Sequence, residues 1–205
     1  MLKAFMKETC EGLSERTVMT GSIRSFIAFD IDSETILKKM AAVQNLLVKT
    51  GADLKPVETK NIHITVRFLG DIRPETVEKI FEEMKKVQFT AFDVKIHGVG
   101  AFPNVNYPRV VWAGITEGAD QLRSVFSQLE PCLRSLGFAP DSRGFSPHLT
   151  IARVRSGRNK AELARCIDEN VNLDFGSLKA ACLRLKSSDL TPQGPIYSTQ
   201  KEFCP

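Results

Sequence analysis

The sequence predicts an α+β fold made of two similar lobes facing a shared groove, and three observations predict it. In Asn61–Gly70, apolar Ile62, Ile64, Val66 and Phe68 alternate with His63, Thr65 and Arg67, which describes a strand with one buried and one chemically capable face. The pattern returns at Pro147–Val154, where His148 and Thr150 share a face and Leu149 and Ile151 take the other. Around both motifs the order strand, helix, motif strand, helix, strand appears twice, with the histidines 85 positions apart, at 63 and 148. A duplicated lobe is the simplest account of that repetition.

The elements follow in order. Met1–Ser22 has no sustained periodicity and is expected to lie outside a bilobal domain spanning residues 23–205. Ile23–Ile31 is short and β-branched enough for an inner strand. Asp32 or Ser33 can cap the next helix, with Ile36, Met40, Val43 and Leu47 along one face and Gly51 past its end. Beyond the first motif strand, Pro74 marks a helix start, and Val77, Ile80, Phe81, Met84 and Val87 form its apolar face. Phe89–Val99 is expected as a strand, followed by a loop whose prolines and asparagines forbid regular structure. Arg109–Thr116 opens the second round as a strand. Leu122, Val125, Phe126, Leu129, Leu133 and Leu136 mark a long helix in which Pro131 predicts a kink or break. After the second motif, Leu163, Ala164 and Ile167 indicate a short helix, and Phe175–Lys186 and Pro195–Phe203 two closing strands.

Composition bounds the function class. The chain of 205 residues, 42% hydrophobic and 25% charged, suits a globular protein with a substantial core. It has no apolar run of the roughly 18 residues needed to span a bilayer. The amino terminus lacks the apolar core of a secretory signal, so a cytoplasmic, membrane-free protein is expected. Five scattered cysteines without a Cys-x-x-Cys pair argue against a disulfide framework and a zinc site, and suggest free thiols. The net charge of +4 is mild, but Arg143, Arg153, Arg155, Arg158, Lys160 and Arg165 crowd the second motif. That cluster is either a solvated basic surface or a site for an anion.

If the two motif strands face each other, His63, Thr65, His148 and Thr150 share one cleft. Opening a cyclic phosphodiester needs an activated water on one side of phosphorus and a protonated leaving oxygen on the other. Two imidazoles in opposite protonation states supply both, and the threonine hydroxyls can bond the non-bridging oxygens. The arrangement requires no metal and no cofactor; neither motif has a carboxylate at ligand spacing. The third histidine, His97, has no Thr partner and is read as structural. Phe145 and Phe26 are read either as a platform for a base or as core, the commoner place for an isolated Phe.

His-Ile-Thr-Val-Arg-Phe-Leu-Gly (63–70) and Phe-Ser-Pro-His-Leu-Thr-Ile-Ala-Arg-Val (145–154) resemble the paired motifs of the two-histidine (2H) phosphoesterases, specifically the LigT-like RNA 2′,3′-cyclic phosphodiesterases. Phe-Ile-Ala-Phe-Asp, Gly-Ala-Phe-Pro-Asn, Arg-Val-Val-Trp-Ala-Gly and Leu-Thr-Pro-Gln-Gly-Pro-Ile-Tyr extend the similarity over about residues 23–204. The resemblance implies two antiparallel sheets lining a central groove with helices outside. It also implies metal-independent hydrolysis of an RNA terminal 2′,3′-cyclic phosphate to a 2′-phosphomonoester by a monomer, on RNA ends or nucleotides. His63 and His148 would be catalytic; Thr65, Thr150, Arg67, Arg153 and Phe145 would bind substrate. Simple alternation puts Arg67 beside His63 but turns Arg153 away from His148, so Arg153 reaches the phosphate only if its strand bulges or ends. His63 is taken as the acid and His148 as the base, the reverse being nearly as good. Two alternatives are a 2′–5′ RNA ligase acting on tRNA halves and a non-catalytic RNA-end binder.

Overall fold

A computed structural model describes residues 21–141, 144–192 and 194–205. The proposed extension before residue 21, with Cys10, and Arg143 of the basic cluster lie outside the described residues. Chain order is β1 (Ile23–Asp30), α1 (Glu34–Lys49), β2 (Leu54–Pro56), β3 (His63–Ile72), α2 (Thr76–Met84), β4 (Phe92–Phe102), β5 (Val110–Ile115), α3 (Ala119–Ser135), β6 (His148–Val154), α4 (Lys160–Glu169), β7 (Asp174–Ala180), β8 (Leu183–Leu190) and β9 (Pro195–Phe203).

Local chemistry accounts for the helices. The Ser33 side chain accepts from the Ile36 amide and closes the first turn of α1, a cap worth about 1 kcal/mol. Ile36, Met40, Val43 and Leu47 then form its buried face, as their spacing predicts. Each such side chain contributes roughly 1.5–3 kcal/mol by leaving water. In α3 the helix runs through Pro131 without the expected break, burying Leu122, Val125, Leu129 and Leu133.

The strands are antiparallel in the order β7-β4-β5-β6-β3-β1-β8-β9, with β2 added beside β6. The two expected sheets are therefore its halves, β6-β5-β4-β7 and β3-β1-β8-β9, joined through the pair Ile64 and Leu149. These halves do not follow chain order. β4, the last strand of the first round, belongs to the half that carries β6, and β8 returns to the half that carries β3. Helices are exchanged as well: α1 packs on β6, β7 and α4, while α3 packs on β3 and α2. Each motif strand is thus backed by a helix from the other round.

Two expectations are corrected here. Phe175–Lys186 is not one strand but parts of β7 and β8, on opposite margins of the sheet, with no Gly or Pro to mark the break. Cys182 and Cys204 form a disulfide and are not free thiols, because the β8–β9 register that pairs Leu183 with Phe203 sets them directly opposite each other. Cys132 and Cys166 are free. No described helix is long and apolar enough to cross a membrane.

Candidate active site

The site is built on the joint between the halves. Ile64 and Leu149 are fully buried on the core side, so His63, Thr65, His148 and Thr150 all point to the opposite face. Antiparallel pairing at that joint sets His63 opposite Thr150 and Thr65 opposite His148. The histidines are diagonal neighbours, about 7–8 Å apart in a regular ladder. One pseudo-two-fold axis passes through the pair.

Both imidazoles are oriented alike. His63 Nδ1–H donates to the Asn61 carbonyl and His148 Nδ1–H to the Ser146 carbonyl, each at 2.7 Å. Because a carbonyl only accepts, the neutral rings carry their proton on Nδ1 and offer a bare Nε2. Burial holds the His63 imidazolium down to a pKa of about 4, with Lys186 and His148 lowering it further against the Asn61 carbonyl and Asp30. Burial also lowers His148, the Ser146 carbonyl opposing and Arg153 assisting.

The two arginines exchange the positions that alternation gives them. In β6, Ala152 pairs with Val111 but Thr150 with Trp112, so Ile151 is an extra residue, a β-bulge. Ile151 and Ala152 are both buried, and Arg153 returns to the face of His148. Its charge acts on His148 and, across the groove, on Tyr197. In β3 the same device sits at Val66, since Thr65 pairs with Ala28 and Arg67 with Ile27. Here it turns Arg67 inward, which corrects its expected place beside His63. Arg67 is 8% exposed, ion-paired with Glu130 of α3, and donates to the carbonyls of Phe68 at 2.6 Å and Ala139 at 2.5 Å.

Each bulge is held from an exchanged helix. Glu130 of α3 grips Arg67, and buried Gln44 of α1 donates to the Ile151 carbonyl and to the Val57 carbonyl, both at 2.7 Å. Gln44→Leu removes that clamp and lets β6 relax toward regular alternation. Activity on a cyclic-phosphate RNA end should fall roughly ten- to a hundredfold, most of it recovered by neither substrate excess nor lower temperature.

Aromatic neighbours complete the groove, and alternation alone did not reveal them. The Phe26 ring, 3% exposed, stacks on His63 with centroids 4.7 Å apart, and Tyr197 meets both rings edge-on. Phe26 is therefore core and site wall at once. Phe68, 50% exposed, follows the bulge onto this face, where it pairs with Phe26. On the other side Phe102 meets His148 edge-on at 5.0 Å. Buried Lys186 is bonded to Asp30, the cross-strand partner of His63. Phe145 is half-buried, stacks on Phe126 of α3 and packs against the edge of the core. His97 lies in β4 opposite Asp174 of β7, two strands from β6. Among the described residues, the cluster of Cys182, Glu202 and Cys204 has its sulfurs joined to each other, and neither motif histidine stands in such a cluster.

The family model described as LigT like phosphoesterase matches residues 31–112 and 114–197, one motif histidine in each segment. The chain belongs to this family. A relative from Aeropyrum pernix named RNA 2′,3′-cyclic phosphodiesterase is 38% identical over 164 residues, covering 80% of this chain and 93% of that protein. One of the same name from Archaeoglobus fulgidus is 38% identical, covering 88% and 99%. Among solved structures, E. coli LigT complexed with 3′-AMP superposes with a TM-score of 0.74 at 20% identity, over 89% of this chain and 98% of that one. A Thermus thermophilus structure gives 0.73 at 23% identity, over 89% and 97%. Both of these support the shared fold.

Proposed function

We propose that this LigT-like phosphoesterase hydrolyses the terminal 2′,3′-cyclic phosphate of RNA to a 2′-phosphomonoester, without a metal. The observation that carries the reading is the pair of imidazoles held alike across a pseudo-two-fold axis, each with Nε2 open to the groove and a threonine two residues on. The names of its relatives give the substrate class. One imidazole takes a proton from water as the oxygen attacks phosphorus; the bond to the ribose 3′-oxygen breaks and the other imidazole protonates it. Thr65, Thr150 and Arg153 receive the charge that builds on the non-bridging oxygens. Joining a 2′,3′-cyclic phosphate to a 5′-hydroxyl would use the same groups in reverse.

The low pKa of His63 supports reversing the expected roles, with His63 as base and His148 as acid. The competent free protein has His63 neutral and His148 charged, which is most populated above about 4 and below the lowered pKa of His148, itself under the ordinary 6.5. The bell of kcat/KM should therefore peak on the acid side of pH 6.5, with kcat displaced upward because a bound phosphate anion favours imidazolium. A peak of kcat/KM above neutrality would refute this assignment.

The direct assay is an oligonucleotide ending in 2′,3′-cyclic phosphate, incubated with protein and chelator. A 2′-phosphate product at undiminished rate is the expected result. A 3′-phosphate, or loss of turnover with chelator, would refute the mechanism, and binding without turnover would favour an RNA-end binder.

A further inference from the structure

We propose that the cationic rim leading out of the groove from Arg153 is a track for single-stranded RNA upstream of the reacting end, so that an oligonucleotide is preferred over a cyclic mononucleotide; the inference rests on the hydrolase reading above. The pseudo-symmetry exposes the feature. Five positions after its histidine, β3 presents Phe68 and β6 presents Arg153, and both bulges place that residue on the groove face. The cross-strand neighbour of Phe68 is Phe26, whereas that of Arg153 on β2 is Lys55. Five residues past the histidines the exposed side chains are consequently aromatic on the β3 side, with Phe68 against Phe26, and cationic on the β6 side, with Arg153 against Lys55, beyond the Phe102 that meets His148. A terminal base fits the first by stacking, and a phosphate chain the second.

The cationic wall continues beyond the site. Arg155 lies two residues past Arg153, about 7 Å along the strand, with its amide fixed to the Asp53 carbonyl. At the same end of the sheet, where the β4–β5 connection meets the start of α4, Lys160 lies 4.9 Å over the Tyr107 ring. Tyr107 is 68% exposed and lines, with Lys160 and Asn106, a shallow cavity of about 350 Å³. An exposed ring beside an ammonium suits a stacked base and its phosphate. Some exposed cations elsewhere are tied to carboxylates, as Lys38 is to Glu34, Lys60 to Glu58 and Lys86 to Glu83, and others, such as Lys49 and Lys79, stand singly rather than in a row. Among the described residues Lys55, Arg153, Arg155 and Lys160 have no carboxylate at ion-pair distance, so their charge is available to an anion.

The test compares wild type with the triple variant Lys55→Gln, Arg155→Gln, Lys160→Gln. The two substrates are a single-stranded decamer ending in 2′,3′-cyclic phosphate and a 2′,3′-cyclic mononucleotide. The wild-type preference for the decamer in kcat/KM should fall about tenfold, and its dependence on log salt should flatten by roughly 0.7 for each phosphate that the variant leaves unneutralised. Equal losses on both substrates, or a wild type that shows no preference, would overturn the track. If neither substrate is turned over, the hydrolase reading fails by itself. Binding of a decamer ending in 2′-phosphate, followed by fluorescence anisotropy, then decides the track: weaker binding by the variant upholds it, unchanged binding overturns it.

Discussion

His148→Ala is expected to lower kcat/KM on a cyclic-phosphate RNA end by about 10²–10⁴, the range of a positioned proton-transfer group, with His63→Ala losing a comparable amount. The double variant should lose much less than the product of the two, because attack and departure belong to one concerted displacement that stalls when either proton transfer is missing. Single-turnover rates for the four proteins measure this directly. Each imidazole bonds one backbone carbonyl just before its own strand, at Asn61 and Ser146, so neither truncation strands a buried side-chain partner, although His63→Ala also removes the ring that stacks on Phe26. His148→Ala should melt close to wild type, and His63→Ala somewhat lower, by the packing it loses against Phe26 and Tyr197. Near-full activity in either single variant would remove the paired-histidine mechanism.

The second large effect separates the two arginines. Arg67→Ala is expected to destabilise the fold by about 3–5 kcal/mol, since it leaves Glu130 and the carbonyls of Phe68 and Ala139 without their shared donor in a nearly closed site. Its main readout is denaturant unfolding, with activity falling only as the folded fraction does. Arg153→Ala should do the opposite. The side chain is exposed, so stability should remain within about 0.5 kcal/mol, while kcat/KM falls about a hundredfold as the phosphate loses a charged donor. If Arg67→Ala instead melted like wild type and lost turnover, the inward turn of β3 would be refuted.

These two residues also show how far a linear reading reaches. Alternation in Asn61–Gly70 and Pro147–Val154 was sufficient to place His63, Thr65, His148 and Thr150 on one face, because the first three residues of each motif precede any irregularity. It failed beyond the threonines, at Arg67 and Arg153. One extra residue at Val66 and one at Ile151 invert the phase, and apolar runs such as Val-Arg-Phe and Ile-Ala-Arg carry no mark of it. The cause lies in residues far along the chain, Glu130 and Gln44, which hold the bulged strands from the exchanged helices.

What the sequence determined by itself was most of the elements, β2 and the division of Phe175–Lys186 excepted, and the shared face of His63, Thr65, His148 and Thr150, since apolar period is a local property. Tertiary structure decided which half owns each strand and helix, which arginine faces the groove, and the pairing of Cys182 with Cys204. Those outcomes depend on register, and register is settled only when strands distant in sequence compete to bury their apolar faces against one another.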